Sequence, residues 1–147
     1  MEESFVCVGS IRRPTSEIRR RAAGLAEALA SMGIGRGDSV ALAARNGFHF
    51  FEIELAMRSL DGYVVPLNWH LTAAEAGYIL RDCNAKVIIG EPALLASLES
   101  VIPPSAQRIV LAPDVSSPTQ SYEQLVATVP SKQRTGSGLE SSIIYTS

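Results

Sequence analysis

The chain is poor in the residues from which staples and metal sites are built. It has two cysteines, Cys7 and Cys83, two histidines, His49 and His70, and one tryptophan, Trp69. Two cysteines give neither a disulfide framework nor a metal-ligand spacing, and a reduced, cytoplasmic setting is the one they fit. Two histidines without a carboxylate or thiol at a useful spacing exclude a case from sequence for a metal centre or a Ser/His/Asp or Cys/His nucleophile. No apolar run approaches a membrane span, and the first residues lack the charged-then-apolar design of a secretory signal. A surplus of charge is missing too. The formal net charge of −2 gives no overall attraction to nucleic acid or to an anionic membrane.

What is present is an ordinary globular composition, 46% hydrophobic and 19% charged, in 147 residues. That is long enough for a sizeable core, and residues 1–147 are expected to form a single α/β domain. The densest basic cluster, Arg12, Arg13, Arg19, Arg20 and Arg21, could be an anion patch; a solvated helix face is the expectation.

Periodicity divides the chain into alternating elements. Residues 5–8 and 11–13 read as short strands about the Gly9-Ser10 turn. Pro14 is expected to open a helix to Met32, because Ile18, Ala22, Leu25, Leu29 and Met32 make one apolar stripe. Gly33 ends it. Gly33, Gly35 and Gly37 follow a helix and precede a strand, the reverse of a dinucleotide fingerprint, so they read as a cap and a turn. Strand 39–44 follows. A helix from Phe48 to Leu60 carries apolar residues on more than one face and is expected to be packed on two sides. Tyr63–Leu67 is the next strand. Thr72 and Glu75 form a capping box for a helix carrying Ala76, Ile79, Leu80 and Cys83 inward. Lys86–Ile89 is a strand, and Pro92 opens a helix through Val101. Arg108–Leu111 is a strand, Ser121 and Gln124 offer a second capping box, and 130–141 is an exposed loop rich in Ser, Gly, Lys and Gln. Ser142–Tyr145 is the last strand. Alternating helices and apolar strands predict right-handed βαβ units in a parallel sheet with helices on both faces. Strand order is left open.

Residues 33–92, with G-R-G-D-S-V-A-L-A-A-R-N-G at one end and P-L-N-W-H-L-T-A-A-E and K-V-I-I-G-E-P further on, resemble the amino-terminal part of the adenylate-forming ligases, and the N-W-H-L-T stretch is most similar to bacterial fatty-acyl-CoA synthetases. In that family an apolar strand ending in Tyr-Thr-Ser opens a glycine-rich phosphate loop. Here Ile143-Ile144-Tyr145-Thr146-Ser147 matches that opening, and the loop is expected to continue past the last residue given. The resemblance implies a Rossmann-like subdomain of a larger enzyme that converts a carboxylic acid (fatty or aromatic) and ATP to an acyl-adenylate, then to a thioester with coenzyme A. It implies ATP, Mg²⁺ and coenzyme A for the intact protein, none expected to bind this chain tightly, with a homodimer possible. It also implies Thr146 and Ser147 as the first phosphate-contacting residues, with no catalytic residue in this chain. A non-catalytic stand-alone α/β binding module is the alternative.

Trp69 and His70 follow a strand's carboxyl end, the edge where open parallel sheets bind ligands. One reading makes them a wall of the acyl or pantetheine channel; the plainer one is a loop aromatic packed down by its apolar body. Glu52, Glu54 and Glu75 make no catalytic pair, since Glu75 caps a helix and the other two alternate around one. His49 reads as a helix-surface residue.

Overall fold

A computed structural model of the chain describes residues 4–45, 47–112 and 119–136. The strand expected at 142–145 and the hydroxyl pair Thr146 and Ser147 lie outside the described residues.

Strands β1 (Phe5–Val8) and β2 (Ile11–Pro14) form an antiparallel ribbon, Val8 opposite Ile11. The main sheet holds five strands, all parallel, in the order β4-β3-β5-β6-β7. Its members are β3 (Ser39–Ala43), β4 (Tyr63–Pro66), β5 (Ala85–Gly90), β6 (Gln107–Val110) and β7 (Gln120–Ser121). The helices are α1 (Thr15–Ser31), α2 (Phe48–Ser59), α3 (Ala73–Asp82), α4 (Pro92–Leu98) and α5 (Tyr122–Val126).

Side-chain alternation along the strands assigns each residue a face. Val40 and Leu42 of β3, Val64 of β4, Val87 and Ile89 of β5 and Ile109 of β6 pack with Leu25 and Leu29 of α1, Ile53 and Met57 of α2, and Val126 of α5. Ala41, Ala43, Val65, Ile88 and Val110 point the other way, onto Ala76, Ile79 and Leu80 of α3 and Leu95 and Leu98 of α4. Continuous apolar strand runs are therefore buried on both sides, as expected of a parallel sheet under two helical layers. Among the described residues no helix is long and apolar enough to cross a membrane.

Most boundaries agree with the periodicity, and the exceptions have physical causes. Pro14 does not open α1; it closes β2 and stands at the N-cap with φ −59° and ψ 138°, without a side-chain cap bond. Its ring suits the extended ψ as well as it suits a first helical turn. The Thr72–Glu75 box forms as expected, with the Glu75 N–H donating to Thr72 Oγ1 (3.2 Å) and the Thr72 N–H to Glu75 Oε1 (3.1 Å). The second box does not form. The Ser121 hydroxyl instead donates to the Ala112 carbonyl at 2.6 Å, tying β7 to the end of β6. Helix α2 buries one face only, through Phe48, Glu52, Ile53, Ala56 and Met57; Phe51 is exposed. Asp61 and Asn84, both in the left-handed conformation, follow α2 and α3. Cys83 caps α3 and is half-buried, and that burial pushes its thiol pKa up. Of the segment 130–141, residues 130–136 are described and carry no helix or strand.

Candidate functional site

The chain enters the sheet at β3, adds β4 on one side through α2, then returns through α3 to add β5 on the other. Strands β3 and β5 are thus neighbours whose exits lead to opposite faces, α2 packing on one and α4 on the other. The crevice outside the carboxyl ends at such a reversal is where doubly wound sheets take ligands.

Three loops meet there. After β3, the Arg45 N–H donates to Glu91 Oε2 at 2.7 Å. Glu91, which follows β5, donates its own N–H to the Ala43 carbonyl at 3.0 Å. His49, in the first turn of α2, has Nε2 2.9 Å from the Arg45 carbonyl, so this nitrogen carries the donated proton. From the loop after β4, Trp69 lies under the Arg45 guanidinium, whose carbon is 5.0 Å from the ring centroid. The His70 ring stacks on Trp69 at 3.5 Å between centroids with a 34° tilt. Asn68 Oδ1 accepts the His70 N–H at 2.9 Å and the Leu67 N–H bonds the Leu42 carbonyl at 2.8 Å, so the loop is anchored to β3. Trp69 remains 49% exposed.

Trp69 and His70, singled out from sequence, therefore lie together at the carboxyl edge; Thr146 and Ser147 fall outside the described residues. Arg45 was missed. Its signal was a charged residue two positions after a fully buried strand, at the edge where ligands bind.

A second constellation lies on the α1–α2–α5 side and lines a cleft of ≈ 250 Å³ with Arg13, Phe48 and His49. Glu52 is fully buried. Its carboxylate accepts from Arg21 Nε at 2.7 Å and from the Tyr122 hydroxyl at 2.7 Å. The other two nitrogens of Arg21 donate to Glu123 at 3.0 and 3.1 Å. Burial disfavours the Arg21 charge, but Glu123 and Glu52 outweigh it and hold the guanidinium protonated. Burial, then the Glu52 charge, pushes the Tyr122 phenol up. Arg21 lowers the Glu123 carboxyl. One expectation is corrected here. The arginine cluster is not one solvated face, because Arg21 is turned inward, and Arg13 and Arg12 lie over the Phe48 and Phe5 rings at 4.5 and 4.3 Å. Glu52, which makes no catalytic pair, lies on the inward stripe of α2, four residues from buried Phe48 and from buried Ala56. Each nitrogen of Arg21 and the Tyr122 hydroxyl is directed at a carboxylate oxygen, the arrangement of a structural network. Among the described residues no three His, Cys, Asp or Glu side chains converge as metal ligands.

A doubly wound parallel sheet with an open cluster at its switch point defines a class, the α/β proteins that bind ligands at the carboxyl edge. The chain belongs to the AMP-binding enzyme family, whose model matches residues 6–147. It is 32% identical over 94 residues, 63% of the chain, to a long-chain-fatty-acid–CoA ligase of Thermus thermophilus, covering 17% of that protein. It is 32% identical over 123 residues, 80% of the chain, to 3-[(3aS,4S,7aS)-7a-methyl-1,5-dioxo-octahydro-1H-inden-4-yl]propanoyl:CoA ligase of Mycobacterium tuberculosis, covering 24% of that one. Among solved structures, a benzoate CoA ligase from Burkholderia xenovorans superposes with a TM-score of 0.79 at 21% identity, over 93% of this chain and 27% of that one. A Mycobacterium tuberculosis fatty acyl CoA synthetase gives 0.77 at 24%, over 93% and 28%. The chain thus spans about a quarter or less of the relatives it matches in sequence. The α/β architecture is that of the amino-terminal region of adenylate-forming ligases.

Proposed function

We propose that this chain forms the amino-terminal portion of an ATP-dependent acyl-CoA synthetase. The observation that supports the reading is the family match over residues 6–147, which takes in Ile143-Ile144-Tyr145-Thr146-Ser147. In the first half-reaction a carboxylate oxygen attacks the α-phosphorus of ATP, forming the acyl-adenylate as the bond to pyrophosphate breaks. In the second, the coenzyme A thiol gives up its proton and its sulfur attacks the acyl carbon, expelling AMP.

This chain's part is positioning. Thr146 and Ser147 donate hydroxyl hydrogen bonds to phosphate oxygens as a strand delivers them to the loop. Trp69 and His70 form part of a channel wall at the carboxyl edge. Mg²⁺ bound with ATP neutralises phosphate charge, and no described residue is assigned to it. The acid is of the fatty or aromatic class, the compartment is the cytoplasm, and a homodimer is compatible with the exposed Phe5, Ile11 and Phe51.

The test is the Thr146→Ala/Ser147→Ala variant of a longer protein that carries the loop. Each hydrogen bond to a charged group contributes about 1.5–3 kcal/mol, so acid-dependent pyrophosphate exchange falls on the order of a hundredfold or more. Thioester formation from preformed acyl-adenylate falls less, because pyrophosphate has already left. Full exchange activity, or equal loss of both half-reactions, overturns the assignment. The 147-residue chain alone is expected to catalyse neither step.

A further inference from the structure

The segment after α5 is pinned to the α1–α2 layer at both ends and stands off between them. At one end the backbone oxygens of Val126 and Thr128 lie against Gly24, where a Cβ has no room; at the other the Arg58 carbonyl lies against Gly136 in the same way. Glu27 adds a tie between these points, accepting the Ser131 N–H and, at 3.0 Å, the Arg134 guanidinium. Beside residues 130–135 a cleft of ≈ 630 Å³ stays open. That volume is within the range of sites that hold a small organic molecule.

The cleft has two kinds of wall. Ala22, Ala23 and Ala26 of α1 and Leu55 of α2 give it an apolar floor. Arg19, Arg58, Lys132 and Arg134 also line it, and among the described residues that do so none is acidic. Two of these cations are matched from outside the cleft, Arg58 by Glu54 at 3.3 Å and Arg134 by Glu27. Arg19 and Lys132 enter no ion pair among the described residues, so two positive charges at the cleft are uncompensated. A cleft lined by one sign of charge gathers the opposite sign. Leu55, Arg58 and Ser59 belong to the end of α2, which runs from the carboxyl end of β3 toward the start of β4. The cleft therefore lies toward the sheet's amino edge, apart from the Arg45–Trp69 cluster.

We propose that this cleft binds a single-chain amphiphile with a phosphate monoester head. Such a head carries about −1.5 to −2 charges near neutral pH, the charge that Arg19 and Lys132 leave unmatched. The guanidinium offers a planar fork of N–H donors and the ammonium a compact point charge, and both suit phosphate oxygens. The aliphatic chain lies on the alanines and Leu55, where three one-carbon side chains leave the room that longer ones would fill. A carboxylate head would bring only half the charge, and a free phosphate would leave the apolar floor in water. The site does not depend on the ligase reading.

The test is a titration of the 147-residue chain with decyl phosphate below its micelle concentration, followed by NMR. Saturable shifts are expected at the methyls of Ala22, Ala23, Ala26 and Leu55 and at the amides of residues 131–135. Decanoate should bind at least tenfold more weakly, and neither inorganic phosphate nor decanol should saturate over the same range. Arg19→Gln with Lys132→Gln should weaken decyl phosphate at least tenfold, while Arg81→Gln on α3, across the sheet, leaves it unchanged. Both substituted positions are exposed, so the fold does not depend on them. Ala23→Leu, also at an exposed position, places a longer side chain on the floor and should weaken binding with both cations in place. No saturable shift, shifts spread over the whole surface, equal affinity for decanoate, phosphate or decanol, or unchanged affinity in the Arg19/Lys132 double variant overturns the proposal. Failure here leaves the ligase reading intact, because this readout is binding at the α1–α2 layer and the Thr146/Ser147 readout is adenylation.

Discussion

The two faces of the sheet are made of different materials. Under α3 and α4 the interior is apolar, with Ala41, Val65, Ile88, Ile79 and Leu80 in contact and α3's side-chain caps confined to its exposed first turn. Under α1, α2 and α5 the same strands present an apolar layer pierced by Glu52, Arg21 and Tyr122. The difference shows what each face has to accomplish. Helix α3 has ten residues and a capping box, and burial of one stripe is enough to seat it. Helix α5 has five, too few to persist on its own, and has no side-chain cap bond. Its first two residues, Tyr122 and Glu123, are the ones that bond Glu52 of α2 and Arg21 of α1. The polar network therefore fastens a weak element to two strong ones, which apolar contact alone would leave free to slide.

The largest expected effect comes from cutting that network at its centre. Glu52→Ala leaves the Tyr122 hydroxyl and part of the Arg21 guanidinium in a buried site with no acceptor, and should cost about 3–5 kcal/mol. Leu80→Ala on the dry face removes only packing and should cost about 3 kcal/mol. Rescue separates the two faces. Adding Arg21→Met and Tyr122→Phe to Glu52→Leu should restore most of the lost stability, since an apolar replacement of a whole buried network is often neutral; the cavity at residue 80 has no charged partner to remove. Denaturant midpoints at neutral pH measure all four variants. A cost below about 1 kcal/mol for Glu52→Ala would erase the contrast between the faces.

Tyr122→Phe should cost less, about 1.5–3 kcal/mol, because Glu52 keeps Arg21. It also carries a pH signature. Burial and the Glu52 charge raise the folded phenol above its ordinary value of 10.0. A group raised on folding contributes fully below the unfolded value and loses that contribution as pH climbs past it. Wild type should therefore lose stability above about pH 10 in a step that the phenylalanine variant lacks. An identical alkaline limb in both proteins would show that the hydroxyl does not titrate against the fold.

The dry face is legible in the sequence. Burial under α3 and α4 is a sum over single residues, so a 3.6-residue stripe such as Ala76, Ile79 and Leu80 and the box at Thr72–Glu75 declare themselves locally. The wired face depends on partners 31, 70 and 102 positions apart, which no local period connects. Hence Arg21 read as solvated and Glu52 as one of an alternating pair. Ser121 illustrates the same limit, for its capping spacing was present but the Ala112 carbonyl, brought close by β6 and β7, took the hydroxyl. At the carboxyl edge, Trp69 and His70 stood out by type and place. Arg45 did not, because its meaning lies in Glu91 and His49 holding its backbone.

The smallest predicted effect lies where the chain after α5 lies back over the wired face. At Gly24 of α1 the backbone oxygens of Val126 and Thr128 occupy the space a Cβ would need, and at Gly136, with φ +66°, the Arg58 carbonyl does the same. Between these close approaches one carboxylate holds the segment. Glu27 accepts the Ser131 N–H and, at 3.0 Å, the Arg134 guanidinium. The bonds from Ser131, then that from Arg134, lower the Glu27 carboxyl from its ordinary 4.5 to about 2. A carboxyl lowered on folding stabilises the docked segment above its unfolded value and loses that contribution as pH falls toward the folded one, so the tie holds above pH 4.5 and weakens as pH falls toward 2. The amide proton of Ser131, followed by NMR, should titrate with a midpoint near 2 rather than 4.5. At pH 8, Glu27→Gln should speed tryptic cleavage after Lys132 and Arg134 while leaving the denaturant midpoint almost unmoved, since the sheet and its two cores do not depend on the segment. A Ser131 midpoint at the ordinary carboxylate value, or unchanged cleavage in the variant, would mean that the two glycine contacts hold the segment without Glu27.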